Sequence, residues 1–380
     1  MTNTQLSVRL ASLFLVAGLL AACASAPQPE AQFEPDAQDI DPLTTDFDVR
    51  FHTVPEAFVS ALTPADNVDS PAAWRAPDGR TWVLATGKGT DQILVYDGDN
   101  GALLRRIGGP GSGAGQLDRP NGIFVHEDLA LVVERDNHRV QAFRLPELVP
   151  LGSFGSEQLR QPYGLWLHGL TDGALEVIVS DAWMDPADED RLPPLSQLDQ
   201  RFRRFQVTVG PDGLAVSDQG SFGATDAAGA IRVPESLWGD VANDRLLIAE
   251  EDVATGTRLR DYGLSDRRYR RDIGADRFHA QAEGIALWQC ADGSGYWIAT
   301  DQYKDRSVFH LFDRQSLAHI GAFAGSTTAN TDGVWLHQSG SERFPNGVFY
   351  AVHDDQALSA FDWRDIADRL KLRLSCDGPR

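Results

Sequence analysis

Cysteine is scarce in this chain, with three in 380 residues and no Cys-x-x-Cys pair, which excludes a dithiol redox motif and a thiolate-rich metal centre. Positive charge is also short. Thirty-four Lys and Arg stand against 55 Asp and Glu, a formal net charge of -21, which excludes a broad basic face for nucleic acid. No Gly-x-Ser-x-Gly, His-Glu-x-x-His or Gly-Lys-Ser/Thr loop is present, so serine-hydrolase, zincin and P-loop chemistry have no residues to run on. The nine histidines are scattered, none at metal-ligand spacing with another; His126, His168 and His337 read as strand-end residues. No apolar run after residue 20 is long enough to span a bilayer.

The one apolar run, residues 10–20 behind Arg9, is too short for a mature membrane helix and ends in Leu20-Ala21-Ala22-Cys23. That ending resembles the lipobox of bacterial lipoproteins. It implies a signal peptide over 1–22, lipidation of Cys23, and outer-membrane sorting with Ala24 behind it. Residues 23–48, rich in Ala, Pro, Glu, Asp and Gln, read as a disordered tether. Residues 49–372 are long enough for one large all-β domain, and 373–380 form a tail. Cys290 and Cys376 either form a disulfide in an oxidising envelope or remain two thiols.

What the domain does contain is a pattern repeated six times. A small or acidic pair opens a short apolar run at Asp69-Ser70, Asn121-Gly122, Tyr163-Gly164, Glu235-Ser236, Glu283-Gly284 and Asp332-Gly333. A second β run then ends in polar residues, at 82–88, 129–135, 176–181, 245–252, 296–302 and 348–355. Third runs follow at 93–96, 140–143, 202–207 and 308–312. Units of this kind, each unable to bury its own faces, predict an all-β, six-bladed β-propeller. Trp74, Trp166, Trp238, Trp288 and Trp335 recur along the first run and read as inter-blade packing. The stretch 108–115, rich in glycine, reads as a flexible inter-blade loop, and 181–199, with Asp185, Asp188, Glu189 and Asp190, as a mobile acidic insertion in the third blade.

Antiparallel pairing puts the start of strand one and the end of strand two on the same rim. Asp69, Asn121, Tyr163, Glu235, Glu283 and Asp332 therefore share one inner edge. Lys88, Arg135, Asp136, Asp181, Glu250, Glu251, Asp252, Asp301, Gln302, Asp354 and Asp355 share that face with them. Carboxylates with a few amides and a phenol suit a hard cation such as calcium, which takes six to eight oxygen ligands.

These residues resemble the β-propeller phytase family. The resemblance rests on Asp69-Ser-Pro-Ala-Ala-Trp, Ala85-Thr86-Gly87-Lys88, Tyr163-Gly164-Leu165, Leu247-Ile248-Ala249-Glu250-Glu251-Asp252, Glu283-Gly284-Ile285, Asp301-Gln302 and Asn330-Thr331-Asp332-Gly333, and runs from about 66 to 370. It implies a calcium-dependent phosphohydrolase acting on phytate or a related phosphomonoester. In that reading Asp69, Tyr163, Glu235, Glu250, Glu251, Glu283, Gln302 and Asp332 hold metal; Glu235, Glu283, Lys88 and Arg135 are catalytic; and Lys88, Arg135 and Lys304 contact phosphate. The chain departs from the family at Ser70, Gln281 and Asn330, where the family has carboxylates. Blades two and three, with 116–123, 132–143 and 151–155, look instead like NHL propellers, which makes a non-catalytic binding propeller of the cell envelope the alternative. A monomer touching the membrane only through its N-terminal lipid is expected, facing either the periplasm or the cell surface.

Overall fold

The computed structural model describes residues 49–187, 191–211 and 213–377, besides Met1. The expected signal peptide, Cys23 and the tether lie outside the described residues. Six four-stranded antiparallel units follow one another around a ring, each innermost strand packed on the next, and this is a six-bladed β-propeller. The innermost strands are Val68–Arg75, Pro120–His126, Pro162–Gly169, Pro234–Asp240, Ala282–Gln289 and Val334–His337. The second strands are Thr81–Gly87, Leu129–Glu134, Leu175–Asp181, Arg245–Glu250, Gly295–Gln302 and Val348–His353, within one or two residues of the expected runs. They are nearly continuous Val, Leu, Ile and Ala because neighbouring blades bury both faces.

Sequence order does not close the ring. Blade six contributes only three consecutive strands, and Phe58–Val59 from the opposite end of the domain pairs with Ala357–Asp362 as its fourth. Upstream, His52–Thr53 adds a parallel fifth strand to blade five. Between these two strands, the Glu56 carboxylate accepts the backbone amides of Ser326, Thr327 and Thr328 at 3.1, 2.9 and 2.8 Å. At the other terminus, Trp363 of the helix Trp363–Leu370 stacks on Trp288 of blade five, and a Cys290–Cys376 disulfide fastens the tail to that blade.

Two expectations change here. Trp238 and Trp335 do not simply wedge between blades. With Phe124 they meet at the channel axis, ring centroids 4.9–5.3 Å apart, three aromatics from alternating blades that plug the pore. Trp166 does pack between blades, over Gly239 of its neighbour. The glycine-rich loop at 108–115 is tied down rather than loose: Arg139 donates to the Ser112 carbonyl at 2.7 Å, and the Gly115 amide donates to Gln141 at 2.6 Å. In the blade-three insertion Asp185 pairs with Arg191 at 2.6 Å, while Asp188, Glu189 and Asp190 lie outside the described residues.

Candidate functional site

A backbone irregularity builds the site. In five blades the pairing of strands one and two slips at one place: Val68 faces Gly87 and Pro71 faces Ala85, so Asp69 and Ser70 oppose the single residue Thr86. The same slip falls at Asn121-Gly122, Tyr163-Gly164, Glu235-Ser236 and Glu283-Gly284. A β-bulge bends its strand and re-aims a side chain. The polar residue of each pair thereby reaches the mouth of the channel, where alternation alone would have packed every second residue into a neighbour. The small residue that follows is required sterically. A Cβ on Gly333 would lie 2.6 Å from the Ser70 Cα, and one on Gly284 would lie 2.7 Å from the Asp332 carbonyl oxygen.

Blade-to-blade hydrogen bonds then fix the backbone of these residues. The Gly333 amide donates to the Asp69 carbonyl at 3.0 Å and the Gly284 amide to the Asp332 carbonyl at 2.9 Å. Ser180 donates its hydroxyl to the Glu235 carbonyl at 3.0 Å, and Thr86 does the same for Asn121. The result is a ring of six polar side chains, one per blade. Asp69, Asn121, Glu235, Glu283 and Asp332 are buried, and Tyr163 is partly exposed. Below it lies an apolar ring of Pro71, Ile123, Leu165, Leu237, Ile285 and Val334, which lines a small cavity above the aromatic plug.

The ring is electrostatically crowded. Burial pushes the Glu235 carboxyl well above its ordinary range, and the charges of Glu251, Asp69 and Asp332 push it further, with Lys88 opposing. Lys88, itself buried, puts its Nζ 3.1 Å from Asp69 Oδ2 and 3.4 Å from Asp332 Oδ2. Tyr163 and Asn121 donate to the same Asp69 oxygen at 3.4 and 3.5 Å, and Gln302 donates to Asp332 Oδ1. Among the described residues no group of three or more acidic, histidine or cysteine side chains stands ready-made for a metal ion. As it stands, the ring is closed on an internal ammonium. The donor chemistry nevertheless fits a hard cation, since every ring residue offers oxygen. The fully buried Asn121 also leaves its Oδ1 without a hydrogen-bond partner.

Of the residues singled out from sequence, Asp69, Tyr163, Glu235, Lys88, Gln302 and Asp332 are joined by these contacts and charges. Glu283 holds the equivalent bulge position in blade five. Glu251 reaches the group through its charge on Glu235 and accepts from Gln281 at 2.8 Å. Glu250 is not brought in. Its oxygens accept the amides of Arg232 and Val233 at 3.1 and 2.9 Å, with Arg260 behind at 3.4 Å. Asp181 and Asp301 do the same for Arg160 and Gln161, and for His279 and Ala280, so carboxylates ending the second strands strap the loops that feed the first strands. Arg135 pairs instead with its neighbour Asp136 at 2.7 Å, and Lys304 is exposed. Asn121, passed over as a site residue, belongs to the ring; its place opening the first strand of blade two in the six-fold pattern was the available signal.

The departures from the family pattern have local explanations. Ser70 donates to Asp69 at 2.7 Å, Gln281 to Glu251, and Asn330 to Asp355 at 3.2 Å, so each uncharged residue gives a hydrogen bond to a neighbouring carboxylate where a second carboxylate would repel it.

The Phytase family model matches residues 232–371, which span blades four to six and the closing helix. That segment carries Glu235, Glu251, Glu283, Gln302 and Asp332; Asp69, Lys88, Asn121 and Tyr163 lie outside it. No curated protein matches the sequence. Among solved structures, a calcium-binding protein, regucalcin, from Agrobacterium tumefaciens is similar over 82% of this chain and 97% of its own, at 11% identity and a TM-score of 0.50, which supports the propeller fold. A PQQ-bound aldose sugar dehydrogenase from Streptomyces coelicolor aligns over 81% of this chain and 98% of its own at 14% identity, with a TM-score of 0.48.

Proposed function

We propose that this chain is a calcium-dependent phosphoester hydrolase, acting on phytate or a related small phosphomonoester, and held to the bacterial outer membrane through a lipid on Cys23. The observation that carries the reading is the ring itself: six polar side chains, five of them turned inward by a repeated bulge, with Glu235, Glu283 and Asp332 inside the segment matched by the Phytase model.

Asp69, Glu235, Glu251, Glu283 and Asp332, with Tyr163, Asn121 and Gln302, would hold the cation. When bound, calcium supplies charge compensation and Lewis-acid polarisation of the phosphoryl group. Five carboxylates set around a single ammonium repel a polyanion, so the ring accepts a phosphoester only with that compensation in place. Lys88 supplies an ammonium from inside the ring to a phosphoryl oxygen. The apolar ring and the Phe124, Trp238 and Trp335 plug close the channel beneath, so substrate and product use one rim. Low dielectric under the ring strengthens every charge interaction made there.

The test is phosphate release from phytate and from a simple aryl phosphate by the full chain, across a calcium titration and again with excess chelator. Turnover that rises with calcium and vanishes with chelator supports the reading; no release at any calcium concentration removes it and leaves the propeller as a binding platform.

A further inference from the structure

We propose that Lys88 is a built-in counter-ion that a cation must displace before the ring can bind phosphate, and that the displaced ammonium then becomes a phosphate contact, which fixes the order of binding. This rests on the reading above and concerns how the same site is loaded.

The seam between blades one and six carries the argument. Both carboxylates there are already served by internal donors. Asp69 accepts Ser70 on Oδ1 at 2.7 Å, and Lys88, Tyr163 and Asn121 crowd its Oδ2. Asp332 accepts Gln302 on Oδ1 and Lys88 on Oδ2. An ammonium and a divalent cation cannot share these two oxygens, because like charges at such range repel strongly in a buried site. A cation that takes Asp69 and Asp332 as ligands must therefore evict Lys88.

The backbone of Lys88 is fixed while its side chain has rotatable bonds to move through. Lys88 follows the end of strand two, where its amide is pinned to the Asn67 carbonyl at 2.9 Å, so the base of the side chain stays on the rim while its flexible four-carbon stem can swing. The ammonium leaves two carboxylates now neutralised by the cation and faces whatever anion the cation has attracted. In the reverse order, an anion meets a ring in which one ammonium is set against Asp69, Glu235, Glu251, Glu283 and Asp332, and is repelled. The neutral residues Ser70 and Gln281 fit the same scheme, since Ser70 hydrogen-bonds Asp69 in the ring and Gln281 hydrogen-bonds Glu251 beside it, where a carboxylate at either place would add to the repulsion.

The experiment is calorimetric titration of the full chain with calcium alone and with inorganic phosphate alone, then with phosphate on the calcium-loaded protein, for wild type and Lys88→Met. Wild type is expected to bind phosphate only once calcium is present. Lys88→Met is expected to bind calcium about tenfold more tightly or better, the scale of losing one buried like-charge competitor, and calcium-loaded Lys88→Met to bind phosphate about tenfold more weakly. Equal calcium affinity in the two proteins overturns the proposal while leaving the calcium reading intact. So does phosphate binding by calcium-free wild type as tight as by the loaded protein, a comparison that needs no variant to fold. Calcium binding by neither protein overturns the parent reading, and the proposal with it.

Discussion

Lys88 and Asp332 stand 244 residues apart in the chain, yet the ammonium of one lies 3.4 Å from the carboxylate of the other. That contact crosses the seam where the first blade meets the last. The polar ring is thus complete only when the propeller is closed, and whatever holds the seam holds the ring.

Glu56 is the residue on which closure leans most visibly, because one carboxylate takes three backbone amides and the Thr328 hydroxyl. Glu56→Ala is expected to cost about 2–3 kcal/mol, the scale of losing a multiply hydrogen-bonded carboxylate acceptor. Thermal melts with hydrogen exchange check this: the melting temperature should fall and exchange at Ala57 and Ser60, whose amides donate to the Ala360 and Leu358 carbonyls, should quicken. A melting temperature within a degree of wild type would show that closure does not depend on this clasp.

Glu250 separates a strap from a ligand. Glu250→Gln should lower stability by about 2 kcal/mol in chemical denaturation, since a buried carboxylate that organises two amides and faces Arg260 is lost. Calcium stoichiometry of the folded protein should not change. A lost calcium equivalent with unaltered stability would place Glu250 among the ligands instead.

The aromatic plug is a packing prediction. Trp238 touches both Phe124 and Trp335, and Trp238→Ala should cost about 3–5 kcal/mol, because the rigid ring of blades cannot collapse around the space left. Urea unfolding measures it, and a loss under about 1 kcal/mol would mean the channel relaxes freely.

Acid should weaken the joint between blades three and four. Burial pushes Glu176 up, but His168, Arg267 and Arg204 outweigh it and hold the carboxyl at about 2. A depressed carboxylate stabilises the fold above its unfolded pKa and loses that contribution as pH falls from about 4.5 towards about 2. Wild type should therefore lose melting temperature over that window, and Glu176→Gln, less stable at neutral pH, should lose less. Parallel pH curves for the two proteins would contradict this.

The fold was legible because strands one and two of each blade are buried on both faces and advertise themselves as apolar runs bounded by polar pairs. The outermost strands were not. Leu103–Gly108 is largely exposed and carries no clear alternation, and the closing strand Phe58–Val59 is two residues long, paired by backbone hydrogen bonds that any sequence can make. The rim was legible from pairing direction alone, which placed Asp69, Glu235, Glu283 and Asp332 together. The inward turn of the first three was not, because a bulge has no residue code beyond the small Ser or Gly behind each one. Glu250, Asp181 and Asp301 look identical in sequence to ligands. What separates them is that their partners are backbone amides, which leave no mark in composition. His310 and His319 seemed unrelated nine residues apart, yet adjacent strands bring their rings to a 3.1 Å nitrogen contact.

The account stands most directly on one comparison: calcium-dependent phosphate release from phytate by wild type, by Glu283→Gln in the ring, and by Asp78→Asn in an exposed turn on the opposite rim. The account predicts that Glu283→Gln loses calcium-dependent turnover by about a hundredfold or more, as removal of one group that stabilises transition-state charge does, while Asp78→Asn stays at the wild-type rate. Equal turnover by Glu283→Gln and wild type would contradict it, for the chemistry would then lie somewhere other than the ring.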